Sequence, residues 1–232
     1  MSRTIVYGQP FHLHVRSVLF ALKEKQVAYR LESRDRLEIP AKHASRVSAF
    51  GEPVLDVGGF VVEGAETALR FVADGFTGPA LQPAEPRERA RMNRALELNY
   101  AEASTTLGLK IAGHYLAAVY VTEWLDPQVS NDIFSNARKT VDQFERLLGS
   151  DQFLAGDRLS IADVAFGALL DSIMETPEGD LLVPQGTNLR NWWNRVSARP
   201  AFTTTRPKGG ALFGFWHASS AETPAYDFDL SG

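Results

Sequence analysis

The backbone around Glu52 and Pro53 is the first place where this sequence could carry chemistry. Two short apolar runs, Val54-Leu55 and Phe60-Val61-Val62, flank Asp56-Val57-Gly58-Gly59, and this pattern predicts a β-hairpin. Pro53 would open the first strand, where a sheet tolerates a residue without an N–H donor. A cis peptide bond can be selected at such a proline. It would turn the Glu52 N–H and C=O groups outward, towards an extended ligand; a hairpin with an ordinary starter proline is the alternative.

Composition restricts the chemistry further. The chain of 232 residues contains no cysteine, so it offers no thiolate nucleophile, disulfide or cysteine metal ligand. Thiol chemistry would need a sulfur atom from a cofactor or a substrate. The formal charge of -4 and the pI near 5.8 argue against a general nucleic-acid partner. The N-terminus lacks the apolar run of a signal peptide, and no segment approaches the roughly 20 apolar residues that span a membrane. We expect a cytoplasmic protein.

The elements that must position this hairpin form a small α/β unit. Residues 4–7 are β-branched and aromatic, which predicts a strand, and apolar residues at helical spacing predict a helix over 13–25. A short strand over 28–32 follows. A charged segment with one irregular helix then leads to the hairpin, and a helix over 65–73 ends the unit. The predicted order is β-α-β-α-β-β-α.

The sequence of the remainder of the chain predicts helices. Three prolines, Pro79, Pro83 and Pro86, within the segment from Gly75 to Pro86 indicate a linker. Periodic segments then predict a long helix over 87–124, kinked near Gly108 or Gly113, and further helices over 129–148 and 189–198. The predicted organisation is an α/β domain over 1–76, a linker over 77–86, an all-helical domain over 87–206 and a tail over 207–232.

The segment Leu159 to Val164 predicts the start of another helix, which continues to about Met174. Ser160 can cap the helix N-terminus while Asp163, three residues later, reaches back to the N–H of the cap. The apolar residues Leu159 and Val164 flank this capping box as a hydrophobic staple. Asp163 is therefore expected to have a structural role and not a catalytic one.

Taken together, these features resemble the cytosolic glutathione transferase family over almost the whole chain. The resemblance lies in the β-α-β-α-β-β-α order with Pro53 at the family's cis-proline, and in Phe153–Asp157 running into Leu159–Asp163. It lies also in Leu189-Arg190-Asn191-Trp192-Trp193 ending at Arg199-Pro200. The segment Val6 to Pro10 is most similar to the phi class and its fungal or bacterial relatives. The resemblance implies a thioredoxin-like N-terminal domain, an all-α C-terminal domain, a homodimer and glutathione as co-substrate.

The resemblance places the phi-class catalytic serine at His12, with Leu13 where a second hydroxyl often lies. An imidazole can hydrogen-bond a thiolate or, as a cation, lower the pKa of the thiol further. A helix N-terminus also favours an anion nearby. His12 is therefore the predicted catalytic residue, and a histidine that simply replaces a lost hydroxyl is the alternative. His12 with His14 could bind a metal ion, but two histidines alone are weak evidence, so no metal is predicted.

The resemblance also implies where glutathione would bind. The main-chain contact falls on Glu52 before Pro53, where the identity of the side chain would matter little. The family's anchor for the γ-glutamyl group falls on Gly64, Ala65 and Glu66, where the usual serine is absent. The lost hydrogen bond costs about 1.5–3 kcal/mol, although free N–H groups at the helix start can still bind a carboxylate. Glu63 or Glu66 could contact the ligand's ammonium group. By composition, Lys42 and His43 are the candidates for the glycyl carboxylate.

Aromatic residues supply the candidates for binding an apolar electrophile. Phe11, Tyr100, His114 and Tyr115 are the predicted substrate contacts. Leu37, Thr105 and Trp124 are further candidates, and the aromatic residues Phe213, Phe215 and Trp216 of the tail could cover the cleft.

The predicted function is a glutathione-dependent enzyme that acts on an apolar electrophilic small molecule. The reaction would be conjugation, or reversible addition of the thiolate to an activated alkene with cis–trans isomerisation. A dedicated pathway such as secondary-metabolite biosynthesis is one setting for such a divergent site. The alternative is a non-catalytic ligand-binding or structural protein of the same fold, which the absent hydroxyls at His12 and Ala65 favour.

Overall fold

The computed structural model describes residues 3–32, 52–115 and 129–211. Its first half contains a four-stranded sheet whose strands are β1 (Thr4–Tyr7), β2 (Arg30–Glu32), β3 (Val54–Val57) and β4 (Phe60–Glu63). They are arranged in the order β2-β1-β3-β4. The β1 strand pairs parallel with β2 and antiparallel with β3, with Tyr7 opposite Val54. The predicted α/β unit is confirmed, apart from the irregular helix expected before the hairpin, which lies outside the described residues.

The predicted hairpin is also confirmed. Strands β3 and β4 pair antiparallel with Val57 opposite Phe60, so Gly58 and Gly59 form a two-residue turn. Both glycines have positive φ angles, 61° and 95°, which residues with a Cβ rarely adopt. The Asp56 carboxylate accepts a hydrogen bond from the Gly59 N–H at 2.7 Å and fixes the turn. Local sequence therefore determines this hairpin.

Two helices pack on this unit and on each other, α1 (Leu13–Glu24) and α2 (Ala65–Gly75). A run from Val15 to Leu22 makes α1 buried almost all round, because the helix also contacts the second half of the chain. Gly8, just before α1, has a φ of +149°, and a Cβ there would come within 2.4 Å of Val15. Only glycine allows β1 to turn so closely into α1.

The second half of the described chain is helical. It contains α3 (Pro86–Leu98), a π-helix (Asn99–Ala112), α4 (Asn131–Leu148), α5 (Ile161–Met174), α6 (Gly179–Leu182), α7 (Asn188–Ser197) and α8 (Pro200–Thr204). The long helix predicted after the linker thus changes to i→i+5 hydrogen bonding at Asn99, with Gly113 N–H donating to Gly108 C=O at its end. The short helices α6 and α8 were not predicted. No described helix has the length and apolar character needed to cross a membrane.

The α5 helix lies at the centre of the helical half, and its predicted capping box is confirmed. Asp163 is fully buried and accepts hydrogen bonds from the Ser160 N–H, the Ser160 hydroxyl and the Leu154 N–H at 2.7–2.8 Å. It also accepts from Trp192 Nε1 on α7 at 2.8 Å. Burial raises the pKa of Asp163, and the four hydrogen bonds oppose that shift. Asp163 therefore has the structural role that the sequence predicted.

A buried ion pair joins the two halves of the molecule. Arg16 on α1 donates to the Asp171 carboxylate on α5 at 2.5 Å, and both side chains are nearly inaccessible to solvent. Arg206, after α8, donates to the same Asp171 oxygen at 2.9 Å. The Arg16 guanidinium also lies over the Phe202 ring, 4.3 Å from its centroid. This cluster fixes α1 against α5 and α8.

Candidate functional site

The beginning of α1 brings two imidazoles together. His12 is the N-cap residue, with extended backbone angles, and Leu13 is the first residue of the helix. The His12 and His14 rings lie with their centroids 5.3 Å apart and their planes at 71°. Both residues are partly buried. The sequence prediction that His12 stands at a helix start is therefore confirmed, while its catalytic role stays a prediction.

His14 is joined to the residue that precedes the hairpin. Its Nδ1 lies 2.5 Å from Glu52 Oε1, and Glu52 Oε2 accepts a hydrogen bond from the Ala65 N–H at 3.0 Å. Ala65 is the first residue of α2, and the cap residue Gly64 has no side chain to satisfy that N–H. The Glu52 side chain therefore caps α2 from outside the helix, and its other oxygen hydrogen-bonds to His14.

These contacts determine the charge of Glu52. Burial alone would raise the pKa of Glu52. The hydrogen bond from His14, the charge of His14 when its ring is protonated, the Ala65 N–H and the nearby His12 outweigh this effect and lower the pKa below its ordinary value of 4.5. At neutral pH the Glu52 side chain is a carboxylate. It therefore accepts hydrogen bonds from both partners, and His14 Nδ1 carries the donated hydrogen.

Tyr100, the second residue of the π-helix, approaches the same place from the helical half. Its ring centroid lies 5.7 Å from that of His14. The hydroxyl oxygen is buried and has no hydrogen-bond partner among the described residues. Burial raises the pKa of Tyr100 strongly, and the negative charges of Glu66 and Glu52 add to the shift. Tyr100 therefore keeps its proton and can donate a hydrogen bond.

Two predictions about the glutathione contacts are wrong. No peptide bond in the described part of the chain is cis, so Pro53 follows a trans bond, the form that X–Pro bonds prefer by about 0.5–1 kcal/mol. The Glu52 side chain was expected to matter little, with the Ala65 N–H free for a ligand. That carboxylate instead occupies the Ala65 N–H and binds His14. The anion position at the start of α2 is thus filled from within the protein.

The other predicted contacts lie in different surroundings. Glu66 accepts from Arg70, one turn later on α2, at 2.7 and 3.0 Å. Gly64 is the N-cap of α2 and has a φ of 84°, and Phe11 is partly buried before α1. Lys42 and His43 lie outside the described residues. So do Leu37, Trp124, Phe213, Phe215 and Trp216.

His114 and Tyr115 contact each other, with ring centroids 5.3 Å apart. The Tyr115 hydroxyl donates to both oxygens of Glu178, before α6, at 2.8 and 2.9 Å. Burial, followed by the contact with Glu178, raises the pKa of Tyr115 to about 12. The structure thus brings His12, Glu52 and Tyr100 together and gives Tyr115 a different partner. The sequence analysis considered His14 only as a partner of His12 in a metal site, and it missed the contact of His14 with Glu52.

A four-stranded mixed sheet with helices, followed by a helical half, is the arrangement found in glutathione transferases. Residues 132–200 match the family model described as glutathione S-transferase, C-terminal domain. The chain is 27% identical over 201 residues to glutathione S-transferase F14 of Arabidopsis thaliana, covering 82% of this chain and 77% of that protein. The resemblance to the cytosolic glutathione transferases that the sequence indicated, with phi-class relatives, is confirmed.

Solved structures agree with this assignment of the fold. Glutathione transferase F7 from Populus trichocarpa superposes with a TM-score of 0.76 at 22% identity, covering 87% of this chain and 97% of that chain. Glutathione S-transferase-I, solved with bound lactoylglutathione, superposes with a TM-score of 0.77 at 19% identity, covering 88% and 98%. The chain therefore has the glutathione transferase fold and resembles these proteins, with a site of unusual composition.

Proposed function

We propose that this protein is a glutathione-dependent enzyme that delivers the glutathione thiolate to an apolar electrophilic small molecule. The observation that carries the proposal is the group of side chains at the start of α1. It combines two imidazoles, His12 and His14, with the protonated hydroxyl of Tyr100. A thiolate placed there would be stabilised by the helix N-terminus and by hydrogen-bond donors from both halves of the molecule.

In this proposal His12 takes the place of the hydroxyl that the phi class uses. It is the N-cap residue of α1 with an extended backbone, and its imidazole lies beside that of His14, with ring centroids 5.3 Å apart. An imidazole hydrogen bond to the sulfur would lower the pKa of the thiol and increase the fraction of thiolate at neutral pH. The similarity to named glutathione S-transferases, one of them solved with a glutathione derivative, supports glutathione as the thiol.

The thiolate would act by conjugation or by reversible addition to an activated alkene, which allows rotation and cis–trans isomerisation before it leaves again. The second reaction suits secondary-metabolite biosynthesis, where the thiol is recycled. Phe11 and Tyr100 would contact the electrophile close to the thiolate, and His114 and Tyr115 would contact it farther along the helical half. We propose a homodimer in the cytoplasm, with no membrane or nucleic-acid partner.

The anchoring of glutathione must differ from the family pattern, because Glu52 already accepts the Ala65 N–H. A γ-glutamyl carboxylate would then bind beside Gly64 and Ala65 through the Glu66 N–H, or would displace Glu52. Lys42 and His43 would hold the glycyl carboxylate, and the Glu52 and Pro53 backbone would contact the cysteinyl part of the ligand.

The contact between Glu52 and the Ala65 N–H also favours a second candidate, a non-catalytic ligand-binding or structural protein. An N-terminus of α2 that is already satisfied by the protein needs no ligand carboxylate. In that case Glu52 and His14 would serve stability alone, and the protein would have no measurable affinity for glutathione.

Calorimetry with glutathione at millimolar concentration separates the two candidates. Binding with conjugation of an apolar electrophile supports the enzyme, and the absence of binding contradicts it. His12→Ala should reduce the rate by about 100- to 1,000-fold, the usual loss when one hydrogen-bond donor to a developing negative charge is removed. Lys110→Ala, an exposed position of the π-helix, is the control. An unchanged rate in His12→Ala would remove His12 from the mechanism.

A further inference from the structure

The two ring nitrogens of His14 have opposite surroundings. Nδ1 lies 2.5 Å from Glu52 Oε1, whereas Nε2 is buried and has no hydrogen-bond partner among the described residues. A buried polar atom without a partner costs free energy, and such atoms in native structures are few. Nε2 therefore needs an explanation that the fold alone does not supply.

The contact with Glu52 fixes which nitrogen carries the hydrogen. A carboxylate can only accept, so a neutral His14 must keep its hydrogen on Nδ1 and present a bare lone pair at Nε2. Glu52 cannot swing away easily, because its second oxygen is held by the Ala65 N–H at 3.0 Å. The start of α2 thus orients the carboxylate, and the carboxylate orients the imidazole.

This arrangement has the form of an oriented base. In nucleophilic catalysis a histidine accepts the proton of the nucleophile through one nitrogen, while a third group holds the other nitrogen. The nucleophile itself is absent from the protein, since the chain has no cysteine. Tyr100, whose buried hydroxyl also has no partner among the described residues, has its ring centroid 5.7 Å from that of His14. A ligand thiol between them would give both His14 Nε2 and the Tyr100 hydroxyl a hydrogen-bond partner.

We infer that His14 and Glu52 form a carboxylate–imidazole pair that accepts the proton of the bound thiol, with Tyr100 as the hydrogen-bond donor to the resulting thiolate. This inference rests on the proposed function, which supplies the thiol. The S–H bond breaks, its electron pair stays on sulfur, and a new N–H bond forms at Nε2. The imidazolium is neutralised by the Glu52 carboxylate. When an adduct expels the thiolate, as in isomerisation, the proton remains at Nε2 for the next cycle.

Several charged or titratable groups surround this pair among the described residues. On α1, the His12 ring lies 5.3 Å from His14. On α2, Glu66 is paired with Arg70, and on the π-helix Tyr100 responds to the charges of Glu66, Glu52 and Arg70. Because Arg70 balances Glu66, Glu52 is the carboxylate whose charge acts on His14 through a direct hydrogen bond.

The test uses the full chain with glutathione and follows the ultraviolet absorbance of the bound thiolate against pH. His14→Asn places an amide donor near the position of Nδ1 and removes Nε2, so the cap of α2 can persist. Glu52→Gln keeps the shape and removes the charge. Each variant should raise the pKa of the bound thiol by about one unit, which reduces the thiolate fraction about tenfold near neutral pH. The control Glu97→Gln, on the exposed side of α3, should leave it unchanged.

The outcomes are separable from those of the proposed function. Calorimetry first establishes whether the wild-type protein and each variant bind glutathione. If they bind it and both variants titrate like wild type, the inference is overturned. If the thiol pKa shifts in His14→Asn but not in Glu52→Gln, the pairing of His14 with Glu52 is overturned.

If no glutathione binds, the proposed function fails, and nitrogen NMR of the ligand-free imidazole still decides the geometry of His14. A neutral ring protonated at Nδ1 supports the pair, and protonation at Nε2 overturns it.

Discussion

At the residue scale, Glu52 links three parts of the chain that are far apart in sequence. One carboxylate satisfies the first N–H of α2 and fixes His14 on α1. Since its own position is just before β3, the side chain connects the hairpin to both helices of the α/β unit. A residue whose side chain was expected to be unimportant is therefore the organising group of the site.

The lowered pKa of Glu52 predicts a pH-dependent contribution to stability. The pKa in the folded protein lies below the ordinary value of 4.5, so the contribution is fully present above that value and is lost as the pH falls through the folded pKa. Glu52→Gln should therefore be less stable than wild type at neutral pH, by about 1–3 kcal/mol for a charged cap.

Chemical denaturation at a series of pH values measures this difference between wild type and Glu52→Gln. It should shrink as the solution is acidified from about pH 5 through the lowered pKa of Glu52 in the folded protein, because both side chains are uncharged below that pKa. Glu97→Gln, an exposed carboxylate on α3, should show a much smaller difference throughout. A Glu52→Gln difference that stays constant down to the lowest pH would contradict the lowered pKa.

Asp163 gives a second prediction at this scale. Asp163→Ala removes the acceptor for four hydrogen bonds and leaves buried N–H groups of Leu154 and Trp192 without a partner. The loss should be about 3 kcal/mol or more, because each unsatisfied buried donor costs about 1–3 kcal/mol. Urea denaturation measures it. Asp157→Ala, an exposed position in the preceding loop, is the control, and equal stabilities of the two variants would be evidence against this account.

These two carboxylates show what could be predicted from the sequence. Asp163 acts within its own turn, three residues from Ser160, so a local pattern was enough to assign its structural role. Glu52 contacts His14 across 38 residues of chain. No local pattern encodes that contact, because it depends on how the hairpin, α1 and α2 pack together.

At the element scale, the π-helix is the least expected feature. The glycines at positions 108 and 113 indicated a kink, but the structure has i→i+5 hydrogen bonds from Asn99 to Ala112. Side chains contribute to this geometry, since the Ser104 hydroxyl donates to the Asn99 carbonyl five residues earlier at 2.9 Å. Packing against α4 and α5 also contributes. The π-helix begins one residue before Tyr100, and π-type geometry is frequent at functional sites.

Glycines inside the helices give a prediction about packing. A Cβ at Gly167 on α5 would lie 2.9 Å from Val196 Cγ1 on α7, so Gly167→Ala should destabilise the protein by about 1–3 kcal/mol. Gly113→Ala meets only ordinary contacts, the nearest at 3.5 Å. It should be neutral or stabilising because alanine favours helix more than glycine does. Thermal unfolding of the two variants provides the comparison, and the prediction fails if Gly167→Ala unfolds at the same temperature as Gly113→Ala.

At the scale of the whole molecule, the Arg16–Asp171 pair connects the α/β unit to the helical half. Burial lowers the pKa of Arg16, while the Asp171 carboxylate opposes that shift and keeps the guanidinium charged. Asp171→Ala would leave this charge buried without its partner and should cost about 3–5 kcal/mol. Chemical denaturation, followed by fluorescence of the four tryptophans, measures the loss.

A double variant is the matched control. Arg16→Met with Asp171→Leu replaces both charges by apolar side chains of similar size and should recover most of the lost stability. Arg206 keeps a partner in this variant, because it also donates to Glu175. A double variant as unstable as Asp171→Ala would show that the pair itself, and not the stranded charge, carries the stability.

The order of elements in the α/β unit was predictable because alternating and helical periodicities are local. The ion pair that connects the two halves of the molecule was not predictable in this way. Arg16 lies in a helix that the spacing of apolar residues predicts, but no local pattern assigns its guanidinium a partner. The structure buries it against a residue 155 positions away. Only tertiary packing decides which charged side chains of a helix are paired inside the molecule.

The position of Asp171 has a consequence for how the protein would choose its substrates. Opening the angle between the two halves would separate Arg16 from Asp171 and break a buried ion pair. Such a hinge motion is therefore energetically costly, and the position of α1 relative to α5 is set before any ligand arrives. Under the proposed function, a site built from residues of both halves would then select its substrates by rigid fit.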